Sequence, residues 1–369
     1  MRSFLFSTAI AAAVLATALP TTRADPNKDL TVVSWGGDYT RSQMLAYVKP
    51  FRNAIDEYVA VERYNGGLKE ITEQVEAANI TWDVIDFEST DLLRACRDGL
   101  LEKFDHSALP AGGDGTAASD DFIAGSLTEC GVGQTLWSTV VAYSNEAVGG
   151  TPPAAIGDFF DLSKIPGRRG LRKDPRVVME WALLADGVAA GDVYKTLETP
   201  EGIDRALKVM NRIRGHIVWW QAGSEPVDML RDGEVVMTSV WNGRMYRPIV
   251  EKGEAFTILW DGQIWDIDSW GIVKGTDNLE KAIAFVRFAT DTKRLADQTR
   301  YISYGPARRS SMAQVDAAVL DHLPTSEKNM GNALQIDAAW WAENMPDVRA
   351  RFDAWISSSE GRGPLGTAR

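Results

Sequence analysis

The chain has 369 residues, 45% of them hydrophobic and 9% aromatic, which is enough for a packed core in two domains of ordinary size and too apolar for a disordered chain. Its formal net charge of −12 argues against nucleic acid and acidic membrane surfaces as partners, since like charges repel. Only three histidines occur, His106, His216 and His322, too far apart in sequence to suggest a metal cluster or a histidine-activated nucleophile.

Residues 1–24 read as an export signal that is cleaved: Arg2 is the positive start, Phe4 to Leu19 the apolar stretch, and Thr22-Arg23-Ala24 a small-x-small cleavage site. The apolar run is shorter than the roughly 20 residues of a membrane span. Cleavage removes Arg2 and Arg23 and leaves a still more acidic protein. In an oxidising compartment Cys96 and Cys130 are expected to form one disulfide, with two buried thiols as the alternative because the sequence gives no distance between them.

Leu30 to Ser34 is a short apolar strand that runs into Trp35-Gly36-Gly37-Asp38-Tyr39. Met44, Leu45, Val48, Phe51 and Ile55 then recur at helical spacing, Tyr58 to Glu62 alternates as a strand, and Leu68 to Ala78 is helical again. Trp82 to Phe87 is a third strand and Thr90 to Arg97 a helix ended by Gly99. This β-α-β-α-β-α order predicts a mostly parallel sheet flanked by helices. Thr135 to Tyr143 is a long β-branched and aromatic run suited to crossing between domains. Helices over Pro175–Ala185, Glu201–Arg212 and Val227–Arg231 alternate with strands over Ile217–Trp220, Val235–Trp241 and Phe256–Trp260. Gln263 to Val273 reads as the return crossing, followed by helices over Asn278–Thr290 and Thr292–Arg300. The expected fold is α/β and two-lobed with two hinge crossings. Lobe 1 takes residues 25–136 and 264–318, lobe 2 residues 137–263 and 319–356, and residues 357–369 form a flexible tail.

Two such lobes leave a cleft at the carboxyl ends of their strands, where open α/β folds bind ligands. The chain lacks a Gly-x-Ser-x-Gly elbow and a phosphate loop, and Gly131-Val132-Gly133 lacks the third glycine of a dinucleotide loop. No cofactor or metal is implied, and no enzyme activity. Tryptophan stands out instead, 13 in all, with Trp35, Trp82, Trp241, Trp260, Trp265 and Trp270 at predicted strand ends. Trp35 and Trp241, each followed by glycine or Asn-Gly, are the best candidates for cleft walls, which cover aliphatic ligands and attract cations. Nearby polar candidates are Asp38, Asp86, Glu88, Thr90, Arg244, Asp266 and Asp268: the acids suit an ammonium, and the arginine suits a carboxylate or phosphate. Asp91 reads as a helix N-cap and Arg308-Arg309 as a solvated pair.

Val33-Ser34-Trp35-Gly36-Gly37-Asp38-Tyr39, Trp82-Asp83-Val84-Ile85 through to Leu109-Pro110, Val140 to Asn145, Val240-Trp241-Asn242-Gly243 and Trp265 to Asp268 together resemble the periplasmic putrescine- and spermidine-binding proteins of ATP-driven importers. These belong to the wider bacterial extracellular solute-binding proteins, and the likeness spans nearly the whole chain beyond residue 24. The resemblance implies a type II periplasmic-binding-protein fold, a periplasmic location, a monomer, a small amine-bearing ligand and a membrane permease as partner. It implies ligand contacts from Trp35, Asp38, Tyr39, Thr90, Trp241, Asp268 and Tyr304. Two positions depart from it: an ammonium-binding aspartate is replaced by Arg244, and a family glutamate falls in Arg176-Val177. A guanidinium against an ammonium in a low-dielectric cleft is costly. The favoured ligand is therefore a zwitterionic ω-amino acid such as 4-aminobutyrate, with Asp268, helped by Asp38 or Glu88, on the ammonium and Arg244 on the carboxylate. The alternatives are putrescine or spermidine; a ferric or anion carrier using the close pair Tyr301 and Tyr304; and an exported hydrolase.

Overall fold

The computed structural model describes residues 29–358. The export signal and all but the first two residues of the expected tail lie outside them. β1 (Leu30–Ser34), β2 (Val59–Arg63) and β3 (Val84–Glu88) pair in parallel in the order β2-β1-β3. β1 and β3 are buried along their whole length, as strands covered by helices on both faces must be. A two-residue strand, β4 (Leu127–Thr128), turns into the long β5 (Gly131–Ser144). β6 (Arg169–Arg172), β7 (Ile217–Trp220) and β8 (Met237–Trp241) make the second parallel set, and β9 (Phe256–Ile272) returns.

β5 and β9 lie antiparallel and side by side, joining both sets into one sheet of order β2-β1-β3-β9-β5-β8-β6-β7. β9 meets β3 at one end of this pair and β5 meets β8 at the other, so both long strands serve both lobes. Their register shifts between Gly133 and Thr135 and again between Thr139 and Val141. The sequence reads 256–260 and 263–273 as separate segments; they are one strand that bends through Gly262 at φ 71°. The 20-residue helix Ala338–Ser357 was not legible, and it includes Ser357, the first residue of the expected tail.

The helix Ser89–Arg97 shows how the local sequence sets the frame. Leu92 and Ala95 face the core, and the acidic Asp91 sits in the first turn where the helix dipole favours it. Gly99, at φ 73°, ends it by donating to the Cys96 carbonyl. Glu88 is the N-cap; Asp91 is not, and instead accepts from the Gly67 amide at 3.0 Å. Cys96 is joined to Cys130 by a disulfide, with the Cα atoms 5.7 Å apart. Arg308 is wholly buried and ion-paired to Asp121 at 3.0 Å, so only Arg309 of that pair is solvated. Among the described residues no helix is long and apolar enough to cross a membrane.

Candidate ligand-binding site

Where β1 ends, Trp35-Gly36-Gly37 turns the chain into the helix Gly37–Gln43. Gly36 and Gly37 have φ of 73° and 56°, which glycine adopts at little cost. A Cβ at Gly37 would also lie 2.6 Å from Nη1 of Arg244. The turn lays Trp35 in the cleft, with Nε1 donating to the Asp86 carbonyl at 3.0 Å, and places Tyr39 one turn further on. β3 and β9 set Glu88 opposite Asp268. β8 ends at Trp241, and the short helix Asn242–Tyr246 brings in Arg244.

The aromatic rings form the walls. Trp241 stands edge-on to Trp35, Trp137 and Trp220 at centroid distances of 5.7, 5.8 and 5.7 Å, and Tyr39 packs on Tyr304 at 5.4 Å. Trp35, Tyr39, Glu88, Trp137, Trp241, Arg244, Asp268 and Tyr304 line one small cavity. Glu88 and Trp137 also line a larger adjoining compartment with Arg172, Arg176, Val177, Trp220 and Asp266.

Two charges in the smaller compartment lack a counter-charge. Arg244 donates from Nη1 to the Gly36 carbonyl at 2.9 Å and from Nη2 to the Trp35 carbonyl at 3.2 Å, while its Nε has no partner. Burial pulls its pKa below the ordinary guanidinium value. Asp268 accepts from the Trp137 indole at 2.6 Å and the Tyr39 hydroxyl at 2.9 Å, both neutral donors. Burial, then the charges of Asp86, Glu88 and Asp266, push its carboxyl well above the usual range. Burial likewise raises Asp86 and Asp266 to about 7. In the larger compartment Glu88 is matched: it pairs with Arg172 at 2.6 Å and Arg176 at 2.8 Å, spanning the two lobes.

Trp35, Tyr39, Glu88, Trp241, Arg244, Asp268 and Tyr304 thus meet around one cavity, and Asp266 lines the next. Asp38 does not join them: it is about a third exposed and pairs with Arg247 at 3.1 Å. Thr90 is wholly buried with its hydroxyl unpartnered, and it lines neither compartment. Tyr301 is also outside both; the Arg41 guanidinium lies over its ring at 6.0 Å. Sequence reasoning missed Trp137, which lies mid-strand rather than at a strand end, and Arg172, whose short strand Arg-Gly-Leu-Arg lacks β-branched residues. Arg176 was visible only as a departure from the family pattern.

Residues 46–325 match the family model of the bacterial extracellular solute-binding proteins. The chain belongs to that family. This solute-binding protein is 36% identical, over 356 residues and 96% of each chain, to the gamma-aminobutyric acid-binding protein of Pseudomonas aeruginosa. Among solved structures it is similar to the PBP MotA of A. tumefaciens B6 in complex with glucopine, with a TM-score of 0.82, 25% identity and coverage of 89% of this chain and 99% of that one. It is also similar to a GABA receptor, with a TM-score of 0.76, 30% identity and coverage of 89% and 98%. The fold is the two-lobed type II periplasmic-binding-protein fold. The family serves transport, capturing solutes outside the cell membrane for ABC importers, and is not a family of enzymes.

Proposed function

We propose that this solute-binding protein works as a periplasmic monomer that captures 4-aminobutyrate, or an ω-amino acid of similar length, and delivers it to the membrane permease of its importer. One observation carries the proposal: Arg244 and Asp268, both buried, line one aromatic cavity and neither meets an opposite charge. An uncompensated buried charge is costly, and a zwitterion supplies both missing counter-charges at once. Asp268, with Glu88 beside it, takes the ammonium; Arg244 takes the carboxylate; Trp35 and Trp241 cover the methylenes. Tyr39 and Trp137 hold Asp268 in place by their hydrogen bonds. The likeness to gamma-aminobutyric acid-binding and GABA-receptor proteins supports the same ligand.

The buried acids Asp86, Glu88, Asp266 and Asp268 favour putrescine as a second reading. Its second ammonium would, however, lie among Arg172, Arg176 and Arg244. Calorimetric titration with 4-aminobutyrate and with putrescine separates the two. Tight putrescine binding that survives Arg244→Ala overturns the zwitterion reading.

A further inference from the structure

Val177, in the wall of the larger compartment, has φ 72° and ψ −49°, a conformation that a β-branched residue adopts only when its surroundings force it. It immediately follows Arg176, which pairs with Glu88 across the cleft. Two buried carboxylates flank this turn. Asp174 accepts from the amide and Nε of Arg176, both at 3.0 Å, and from its Nη2 at 3.1 Å. Glu180 sits in the first turn of the helix Val178–Ala185, whose N-cap is Val177.

Each carboxylate is held in turn by the helix Ala338–Ser357. Arg349 donates from Nη2 to Asp174 at 2.6 Å, and the Trp341 indole donates to Glu180 at 2.6 Å. Tyr194 adds a second bond to Glu180 at 3.0 Å. The same helix packs against Ser89–Arg97 of the other lobe, where Arg97 donates to the Ala342 carbonyl at 3.4 Å. Ser89–Arg97 begins directly after Glu88, the residue that reaches back to Arg176. The helix is therefore tied to both partners of the ion pair that spans the cleft.

We propose that the helix Ala338–Ser357 is a positioning element for ligand capture: through Arg349–Asp174 and Trp341–Glu180 it holds the strained Arg176–Val177 turn in the shape the closed cleft requires. Arg349 and Trp341 then act on affinity without lining either compartment. The affinity part of this proposal rests on 4-aminobutyrate as ligand; the positioning part does not.

The test uses the full chain and the variants Arg349→Ala, Arg349→Lys and Trp341→Phe. Hydrogen exchange at the amides of residues 176–181 is expected to quicken at least tenfold in Arg349→Ala and Trp341→Phe, with the rest of lobe 2 unchanged, and to return toward wild type in Arg349→Lys. Calorimetry is expected to show the Kd for 4-aminobutyrate rising about tenfold in the first two variants and recovering with lysine. Unchanged exchange at 176–181 overturns the positioning role. Faster exchange with an unchanged Kd overturns the link to capture. If the wild-type protein takes up no 4-aminobutyrate, the ligand assignment fails, and the exchange data still decide the positioning role.

Discussion

Arg244 and Asp268 reach one cavity from opposite lobes, and each is held by neutral partners alone: the carbonyls of Trp35 and Gly36 for the guanidinium, Tyr39 and Trp137 for the carboxylate. Arg244 also bridges the cleft, because both carbonyls belong to the lobe facing it. A ligand carboxylate that adds to the free Nε would be bound by the residue that draws the lobes together. Capture and closure would then share one side chain.

Arg244→Ala is expected to weaken 4-aminobutyrate binding by about a hundredfold or more, the range seen when one partner of a buried charge pair is truncated. Part of the loss comes from the missing link to Trp35 and Gly36, so the ligand-free protein should also spend more time open. Calorimetry gives the first quantity and small-angle scattering the second; a loss below fivefold would remove Arg244 from the ligand's contacts.

Asp268→Asn should separate binding from stability. The amide keeps an acceptor for Tyr39 or Trp137 but gives the ammonium no charge, so affinity should fall about a hundredfold. The ligand-free protein should unfold at about the same temperature, because the amide replaces a carboxyl that burial already drives toward its neutral form. Thermal unfolding with and without 4-aminobutyrate measures both, and a large drop in ligand-free stability would show that Asp268 is structural.

Asp86 and Asp266 carry carboxyls raised to about 7 in the fold from 3.8 when unfolded. Between those values the folded state holds protons that the unfolded state has lost, so stability is greatest at the acid end and declines as pH rises from about 4 to 7. The decline should be of the order of a few kcal/mol, read from denaturant unfolding of the ligand-free protein. An ammonium beside Asp268 favours ionised carboxylates, so binding near pH 6 should release protons and affinity should rise toward neutral pH. Calorimetry in two buffers of different ionisation enthalpy counts those protons; uptake instead of release would argue that no ammonium sits there.

The Cys96–Cys130 bond closes a loop of sequence separation 34 and ties Ser89–Arg97 to the start of β5. Replacing both cysteines by serine should cost roughly 3–4 kcal/mol of stability through the freer unfolded chain. Neither cysteine lines the cavities, so the affinity of the folded fraction should change little. Unfolding in the presence and absence of reductant checks the first part.

Much of the fold was legible because its strands and helices carry clean periodicities, and because the glycines after Trp35 and Trp241 mark strand ends. The helix Ala338–Ser357 escaped notice although Trp341, Met345, Val348, Phe352 and Trp355 recur at helical spacing; Pro346 in its middle reads as a stop. In the site, charged residues next to aromatic strand ends stood out, which is how Arg244 and Asp268 were found. Asp38 and Thr90 follow the same pattern in sequence, but which way a side chain leaves a helix's first turn depends on packing, and theirs turn elsewhere. Trp137 and Arg172 could not be seen, since their place in the cleft comes from β5 and β6 pairing with distant strands.

The two long strands that cross between the lobes form a hydrogen-bonded ribbon, and a ribbon flexes across its face far more readily than it shears along its length. The register shifts at Gly133/Thr135 and Thr139/Val141 supply two places where that flexing can concentrate. Closure by such flexing would carry the lobes through one arc and return Arg244 to the same two carbonyls each time. With the end-point of the swing fixed, the separation between the acidic and basic poles at closure is fixed as well. On the proposed function the cleft would work as a gauge: a zwitterion whose charged ends match that span would let the jaws seat, while one a methylene too long or too short would leave one pole unmet.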